Sequence, residues 1–330
     1  MPDNSKESVL ITGANGFVGS RLSRRLISDG FHVTAGIREG CDMSLIDDLR
    51  LDCRYGDITR PETLPEMVAD IDYIVHNAGL VKARRKEQFY EVNQIGTRNL
   101  LRAALDVRKL KKFIYVSSVA AAGPSENGVP ITEDMAVNPI TEYGRSKVAG
   151  EKEILALADR IPVAILRPPA VYGPGDREAF TFFQILDNRL KPYIGNLNRR
   201  IQMVHVDDLC LGISRAIRSG TESGVIYFIA ESRAYTYRDL IRHIRQATGK
   251  AAVPFYIPAW GVRLVALVSE KLLRAVGKSP MFTVEKANEI LNNWEVSTAR
   301  AEHDLNFHSQ ISFPQGAQGT YYWYREEGWL

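Results

Sequence analysis

Val9-Leu10-Ile11-Thr12-Gly13-Ala14-Asn15-Gly16-Phe17-Val18-Gly19 decides how this chain is built. A short apolar run leads straight into glycines spaced Gly-x-x-Gly-x-x-Gly, and an amphipathic helical pattern follows over 17–27. Glycines let a backbone turn tightly, approach a pyrophosphate closely and pack helix on strand. The helix N-terminus then offers free N–H groups and the positive end of its dipole. Gly13, Gly16, Phe17, Val18 and Gly19 are the expected dinucleotide cradle, although a tight turn with close helix–strand packing would use the same glycines.

Outward from this stretch, 32–37, 51–55, 73–76, 112–116 and 163–166 read as further strands. Helical patterns separate them, one long (87–107) and one carrying Tyr143 and Lys147. Strands spaced by helices imply βαβ units and a parallel sheet covered on both faces. The expected fold class is α/β, a Rossmann-type doubly wound parallel sheet with a smaller, mostly helical substrate domain.

Past Pro168 the rhythm changes. Pro168, Pro169, Pro174 and Gly175 mark a loop, a helix follows over 179–188, and Asp207 or Asp208 can cap a helix ending near 217. Residues 225–229 read as a buried strand returning to the main sheet, and the remainder as mostly helical, with Thr236 and Thr283 as helix starts. Repeats and low-complexity linkers are absent from the sequence. The expected division gives 1–173 to the dinucleotide domain, with 201–230 returning to it, and 174–200 and 231–330 to substrate.

With 45% hydrophobic and 25% charged residues and a net charge of +3, the 330-residue chain has the make-up of an ordinary globular protein. Arg84-Arg85-Lys86 and Lys109-Leu110-Lys111-Lys112 are its densest basic runs, short enough to be solvated helix faces, so no nucleic-acid partner is expected. Cys41, Cys53 and Cys210 share no metal-like spacing, and neither a metal site nor a disulfide framework is expected. The apolar run 260–268 is interrupted by Arg263 and is too short to span a bilayer. With the polar stretch 1–8 ahead of the first strand, a cytoplasmic location is expected.

Several residues point to chemistry. Tyr143 and Lys147 stand four apart, which stacks a phenol and an ammonium on one helix face. At about 4 Å and an effective dielectric near 20 their attraction is about 4 kcal/mol, enough to bring a phenol from about 10 to about 7. Ser117 and Ser118 end the fifth strand, where open α/β sheets place ligands, and a hydroxyl there can steady charge on a carbonyl oxygen. Arg38 ends the second strand in place of the acid that receives the ribose of NAD. A guanidinium there can pair with a 2′-phosphate, which tilts the cofactor to NADP, while Glu39 beside it keeps NAD open. Asp57, in Gly56-Asp57-Ile58, can accept a hydrogen bond from an adenine amino group. The small residues of Asn77-Ala78-Gly79 let a cofactor cross the sheet edge.

Together these motifs resemble the extended short-chain dehydrogenases/reductases. The resemblance spans Thr12 to Gly19, Gly56-Asp57, Asn77-Ala78-Gly79, Tyr115-Val116-Ser117-Ser118, the Tyr143/Lys147 pair, Arg167-Pro168-Pro169-Ala170-Val171-Tyr172-Gly173-Pro174 and Val204-His205-Val206-Asp207-Asp208-Leu209. It implies Tyr143 as general acid/base, Lys147 holding the nicotinamide ribose and lowering the phenol, and Ser118 as the catalytic serine. It also implies Pro168 and Val171 lining the nicotinamide, a structural role for Asn93, and a homodimer. Ser118 to Gly123 and Gln202 to Cys210 look like the dihydroflavonol reductase/3β-hydroxysteroid dehydrogenase-like branch, whose members are similar in moving a hydride between NADP or NAD and a secondary alcohol or ketone. Thr-Asp-Glu after the fifth strand, as in sugar dehydratases, is missing. So is the arginine that sugar epimerases place just before the His205 segment, which Arg199 or Arg200 would replace only with a shifted loop. An epimerase with tightly bound NAD is the alternative, and a non-catalytic NADP sensor a third. The stretches 175–200 and 252–282 are the expected substrate lid, and the second, rich in Phe, Tyr, Trp, Leu and Val, suits an apolar pocket, or equally core or dimer packing.

Overall fold

A computed structural model describes residues 6–126, 128–275 and 282–330. Strands β1 (Ser8–Thr12), β2 (His32–Ile37), β3 (Asp52–Tyr55), β4 (Tyr73–His76), β5 (Lys112–Val116) and β6 (Val163–Arg167) all pair in parallel. With Val225–Phe228, which pairs with β6, they form a seven-stranded sheet in the order Val225–Phe228, β6, β5, β4, β1, β2, β3. β1, β5 and β6 are buried along their whole length, as strands sandwiched between two helical layers must be. One face packs around Val9, Ile11, Leu22, Leu26 and Leu209, the other around Leu10, Leu64, Leu100, Phe113 and Ile154. The strand order reverses between β1 and β4, and the crevice at their C-terminal ends is where such sheets bind ligands.

Three expectations change in detail. The stretch 87–107 is not one α-helix: Lys86–Tyr90 and Thr97–Ala104 are joined by a π-helical segment, Glu91–Gly96. The extra residue turns Asn93 inward, where its side chain is fully bonded, to Leu80 N and O and to Ser146 Oγ at 2.8–2.9 Å. The helix Val206–Arg218 is capped by His205, not by either aspartate. Asp207 instead pairs with Arg21 at 2.9 Å, and Asp208 accepts the N–H groups of Gln310 and Ile311. The C-terminal part also carries strands, most clearly Val253–Ile257 in parallel register with Leu190–Ile194. Thr236 and Thr283 do cap helices, Tyr237–Thr248 and Val284–Leu291.

Candidate functional site

Gly13 takes φ +68°, a conformation that L side chains rarely adopt, and a Cβ on Gly19 would stand 2.1 Å from the Gly13 carbonyl oxygen. Turn and helix start are thereby locked together. The helix Phe17–Ser28 opens at Gly16 with no side-chain cap and no acid in its first turn. Its orphan N–H groups and positive dipole end are left to an anion, so these residues fit a dinucleotide pyrophosphate. A Cβ on Gly175 would stand 3.6 Å from the Phe17 ring.

The loops after β1 and β4 are tied through a buried relay. Thr12 Oγ1 lies 2.8 Å from His76 Nδ1 and accepts the Ala78 N–H, while His76 Nε2 lies 3.0 Å from Thr97 Oγ1. Burial, then the nearby Lys147 charge, pushes His76 down to about 3, so it stays neutral. Beyond it, Asn77 and Ala78 are partly exposed. A Cβ on Gly79 would be 3.8 Å from Lys147 Nζ.

At the other end of this edge, Arg38 is exposed at the end of β2 and has no ion-pair partner among the described residues. Asp57 is within its electrostatic reach. Burial works against the Asp57 charge, but the Thr59 N–H and hydroxyl, with Arg38 and Arg60, hold its carboxyl below the usual range. Ile58 is buried beneath Gly96.

The helix Glu142–Leu155, capped by Thr141, carries Tyr143 and Lys147. Lys147 is 3% exposed; its Nζ donates to the Val116 carbonyl at 2.8 Å and sits 4.2 Å from the Tyr115 ring centre. Burial pushes it down to about 7, against the pull of Glu151. Tyr143 faces the Ser118 hydroxyl and the Phe89 ring, whose centre is 6.2 Å from its own. Its phenol is not lowered, contrary to expectation. Burial pushes it up to about 12, with Ser118 pulling down and Glu289 pushing further up. The attraction to Lys147 is outweighed by desolvation, which disfavours both charged forms. The ammonium, moreover, is directed at a backbone carbonyl.

Ser118 caps the short helix Val119–Ala122, its Oγ accepting from Ala120 N at 3.1 Å. Ser117 is turned away and donates to Glu151 Oε1 at 2.5 Å. Val119 N–H bonds the Pro168 carbonyl at 2.8 Å, and Val171 lies in Ala170–Tyr172, paired with Val204. Ser118, Tyr143 and Lys147 thus gather where the sheet ends, with Gly79 beside Lys147 and Pro168 bonded to the Ser118 turn.

The sequence left other residues of this neighbourhood unassigned. Glu151 takes a two-pronged bond from Arg167 at 2.7 and 2.8 Å, both side chains nearly sealed from solvent. Glu285, on Val284–Leu291, accepts the Glu142 N–H at 2.9 Å and Arg145 at 2.6 Å. Glu289, one turn further on, is the carboxylate felt by Tyr143. Their four-residue spacing puts both on one helix face, and that is the only signal the sequence held for them. Among the described residues no group of three or more His, Cys, Asp or Glu could hold a metal.

Residues 9–230 match the NAD dependent epimerase/dehydratase family. The chain is 30% identical to the ceramide reductase of Caulobacter vibrioides, over 100% of this chain and 98% of that protein. It is 27% identical to the UDP-glucose 4-epimerase of Vibrio cholerae, over 78% of this chain and 81% of that one. The gox2253 crystal structure superposes with a TM-score of 0.83 at 28% identity, covering 98% and 99% of the two chains. MoeE5, solved with UDP-glucuronic acid and NAD, shares the fold at a TM-score of 0.77 and 21% identity over 97% of this chain and 99% of that one. With a parallel sheet, an uncapped glycine-loop helix and a match across two thirds of its length, the chain belongs to the NAD dependent epimerase/dehydratase family of extended short-chain dehydrogenases/reductases and is a nicotinamide-dinucleotide-dependent enzyme.

Proposed function

We propose that this protein is an NADP-preferring reductase or dehydrogenase acting on a secondary alcohol or ketone within an apolar molecule. The facing pair Ser118 and Tyr143, with Lys147 behind them, carries the reading. When bound, the nicotinamide supplies or accepts the hydride. Gly13, Gly16, Phe17, Val18 and Gly19 hold the pyrophosphate, Arg38 the 2′-phosphate, and Asp57 and Ile58 the adenine. Asn77, Ala78 and Gly79 let the dinucleotide cross the sheet edge, and Pro168 and Val171 line its nicotinamide end.

A phenol held up to about 12 is protonated at neutral pH, so Tyr143 stands ready to give its proton to a carbonyl oxygen being reduced. Ser118 donates a hydrogen bond to the same oxygen as charge grows on it. Lys147, poised at about 7, takes up and releases a proton near neutrality and completes the relay. Residues 174–200 and 231–330 supply the substrate side. The likeness to a ceramide reductase supports a lipid-type carbonyl.

A nucleotide-sugar epimerase needs a guanidinium for the substrate diphosphate, and the nearby ones are engaged. Arg200 pairs with Glu295 at 2.6 Å, and Arg199 is buried over the Tyr237 ring with Nη1 on the Ile194 and Asn196 carbonyls. That alternative predicts NAD that co-purifies and stabilisation by UDP or GDP sugars. The direct test is turnover of a ketone panel with NADPH by Tyr143→Phe. Activity is expected to vanish while cofactor binding survives, and retained turnover refutes the assignment.

A further inference from the structure

Nine of the twenty large apolar side chains exposed among the described residues fall between 253 and 272. The helix Ala259–Ala275 turns Trp260, Leu264, Val268 and Leu272 outward, four apart, at 69%, 50%, 46% and 64% exposure, with Val265 beside them. Among the described residues, Val262 and Ala266 are the ones buried beneath it, against Ile257, Ala287 and Leu291. A helix apolar on both faces is ordinarily enclosed, yet this one offers its larger residues to the outside. The preceding strand adds two further exposed apolar side chains, Val253 and Tyr256, 68% and 60% exposed. Contiguous apolar surface on this scale marks a binding face.

The charge around it selects the partner. Arg189, Lys191, Arg263 and Lys271 have no ion-pair partner among the described carboxylates. The single acid from 253 to 275 is Glu270, whose carboxylate turns inward to accept the Val284 N–H at 3.2 Å. An apolar stripe with a tryptophan and a cationic margin is the pattern of a helix lying in the plane of an anionic membrane surface. A two-fold contact with a second copy would instead bring these unpaired cations towards one another. No helix among the described residues is long and apolar enough to cross a membrane.

We propose that the helix Ala259–Ala275 and the strand Val253–Ile257 dock the protein on a bilayer surface bearing anionic headgroups. This goes beyond the reaction and does not rest on it.

The test is sedimentation of the whole chain with vesicles of phosphatidylcholine and phosphatidylglycerol in equal parts, and with phosphatidylcholine alone. The protein is expected to pellet with the mixed vesicles and much more weakly with the neutral ones. Leu264→Glu with Val268→Glu should weaken binding about tenfold or more, and Arg263→Glu with Lys271→Glu should remove the preference for anionic lipid. An unchanged far-ultraviolet circular dichroism spectrum and an unchanged denaturant midpoint show that the variants are folded. A wild-type chain that stays in the supernatant overturns the proposal, as do variants that pellet like wild type. Light scattering that shows the Leu264→Glu, Val268→Glu change splitting a dimer, with no vesicle binding by wild type, assigns the face to a second copy.

Discussion

At the scale of single residues, Arg38 carries cofactor choice if it holds the 2′-phosphate. It is exposed and unpaired among the described residues, so removing it leaves no buried partner stranded and the fold should be unaffected. Arg38→Ala is expected to raise KM for NADPH about tenfold or more while leaving that for NADH nearly unchanged, the loss of one charge-assisted contact. Equal losses for both cofactors would remove Arg38 from this role. Lys147 gives a second test, in the free enzyme. Its folded value of about 7 lies below the ordinary 10.5, so the unfolded chain binds the extra proton between the two. Stability linked to this group therefore rises with pH across that window, and the penalty of its buried charge is complete below the folded value. Lys147→Met should stabilise the protein most at about pH 6 and progressively less towards about pH 10, read by denaturant midpoints. A gain that is flat with pH would show that Lys147 is not desolvated. The placement of Tyr143 and Lys147 on one helix and of Ser118 at a strand end was legible from their spacing and from the strand pattern, while the preference for Ser118 over Ser117 came from the family resemblance. The direction of the Tyr143 shift was not, since desolvation depends on what other segments pack around the phenol.

At the scale of elements, the helix Glu142–Leu155 is held to the sheet by Glu151. Its carboxylate receives Arg167 from the end of β6 and Ser117 from the end of β5, so one buried group fastens three elements behind the edge that carries Ser118 and Tyr143. Glu151→Ala would leave the Arg167 guanidinium charged and enclosed. The expected cost is about 3–5 kcal/mol, because breaking one side of a buried pair strands the other charge. Urea denaturation checks it, and a loss near zero would mean that water reaches Arg167. Strands β2, β4 and β5 were readable to the residue because they are apolar runs bounded by turns. The π-helical segment Glu91–Gly96 was not, since one extra residue in a turn leaves the apolar pattern almost unchanged. Asp207 and Asp208 look like caps from sequence alone. Their real partners, Arg21 and the 310–311 backbone, are far away in the chain.

At the scale of the whole molecule, carboxylates bind the C-terminal part to the sheet. Asp208 accepts from Gln310 and Ile311, Glu231 from Phe313 N at 3.0 Å, and Glu133 from Phe228 N while facing Arg300. Glu285 reaches back to the helix that carries Tyr143. None of these pairings is visible in the sequence, because each joins segments separated by about eighty residues or more and depends on both being folded. They bear on how the protein unfolds. All four tryptophans, Trp260, Trp294, Trp323 and Trp329, lie in the C-terminal part, so their fluorescence reports that part alone. Far-ultraviolet circular dichroism reports the helices of the entire chain. If the buried bridges make one cooperative unit, both signals change at the same denaturant concentration with the same slope. Glu231→Gln, which keeps the size of the group but weakens its bonds to Phe313 N and the Tyr235 hydroxyl, should move both midpoints down together, by about 1–3 kcal/mol. A fluorescence midpoint well below the circular dichroism midpoint in the wild type would show the C-terminal part releasing first, and the substrate side would then be a separately unfolding layer over a stable dinucleotide domain.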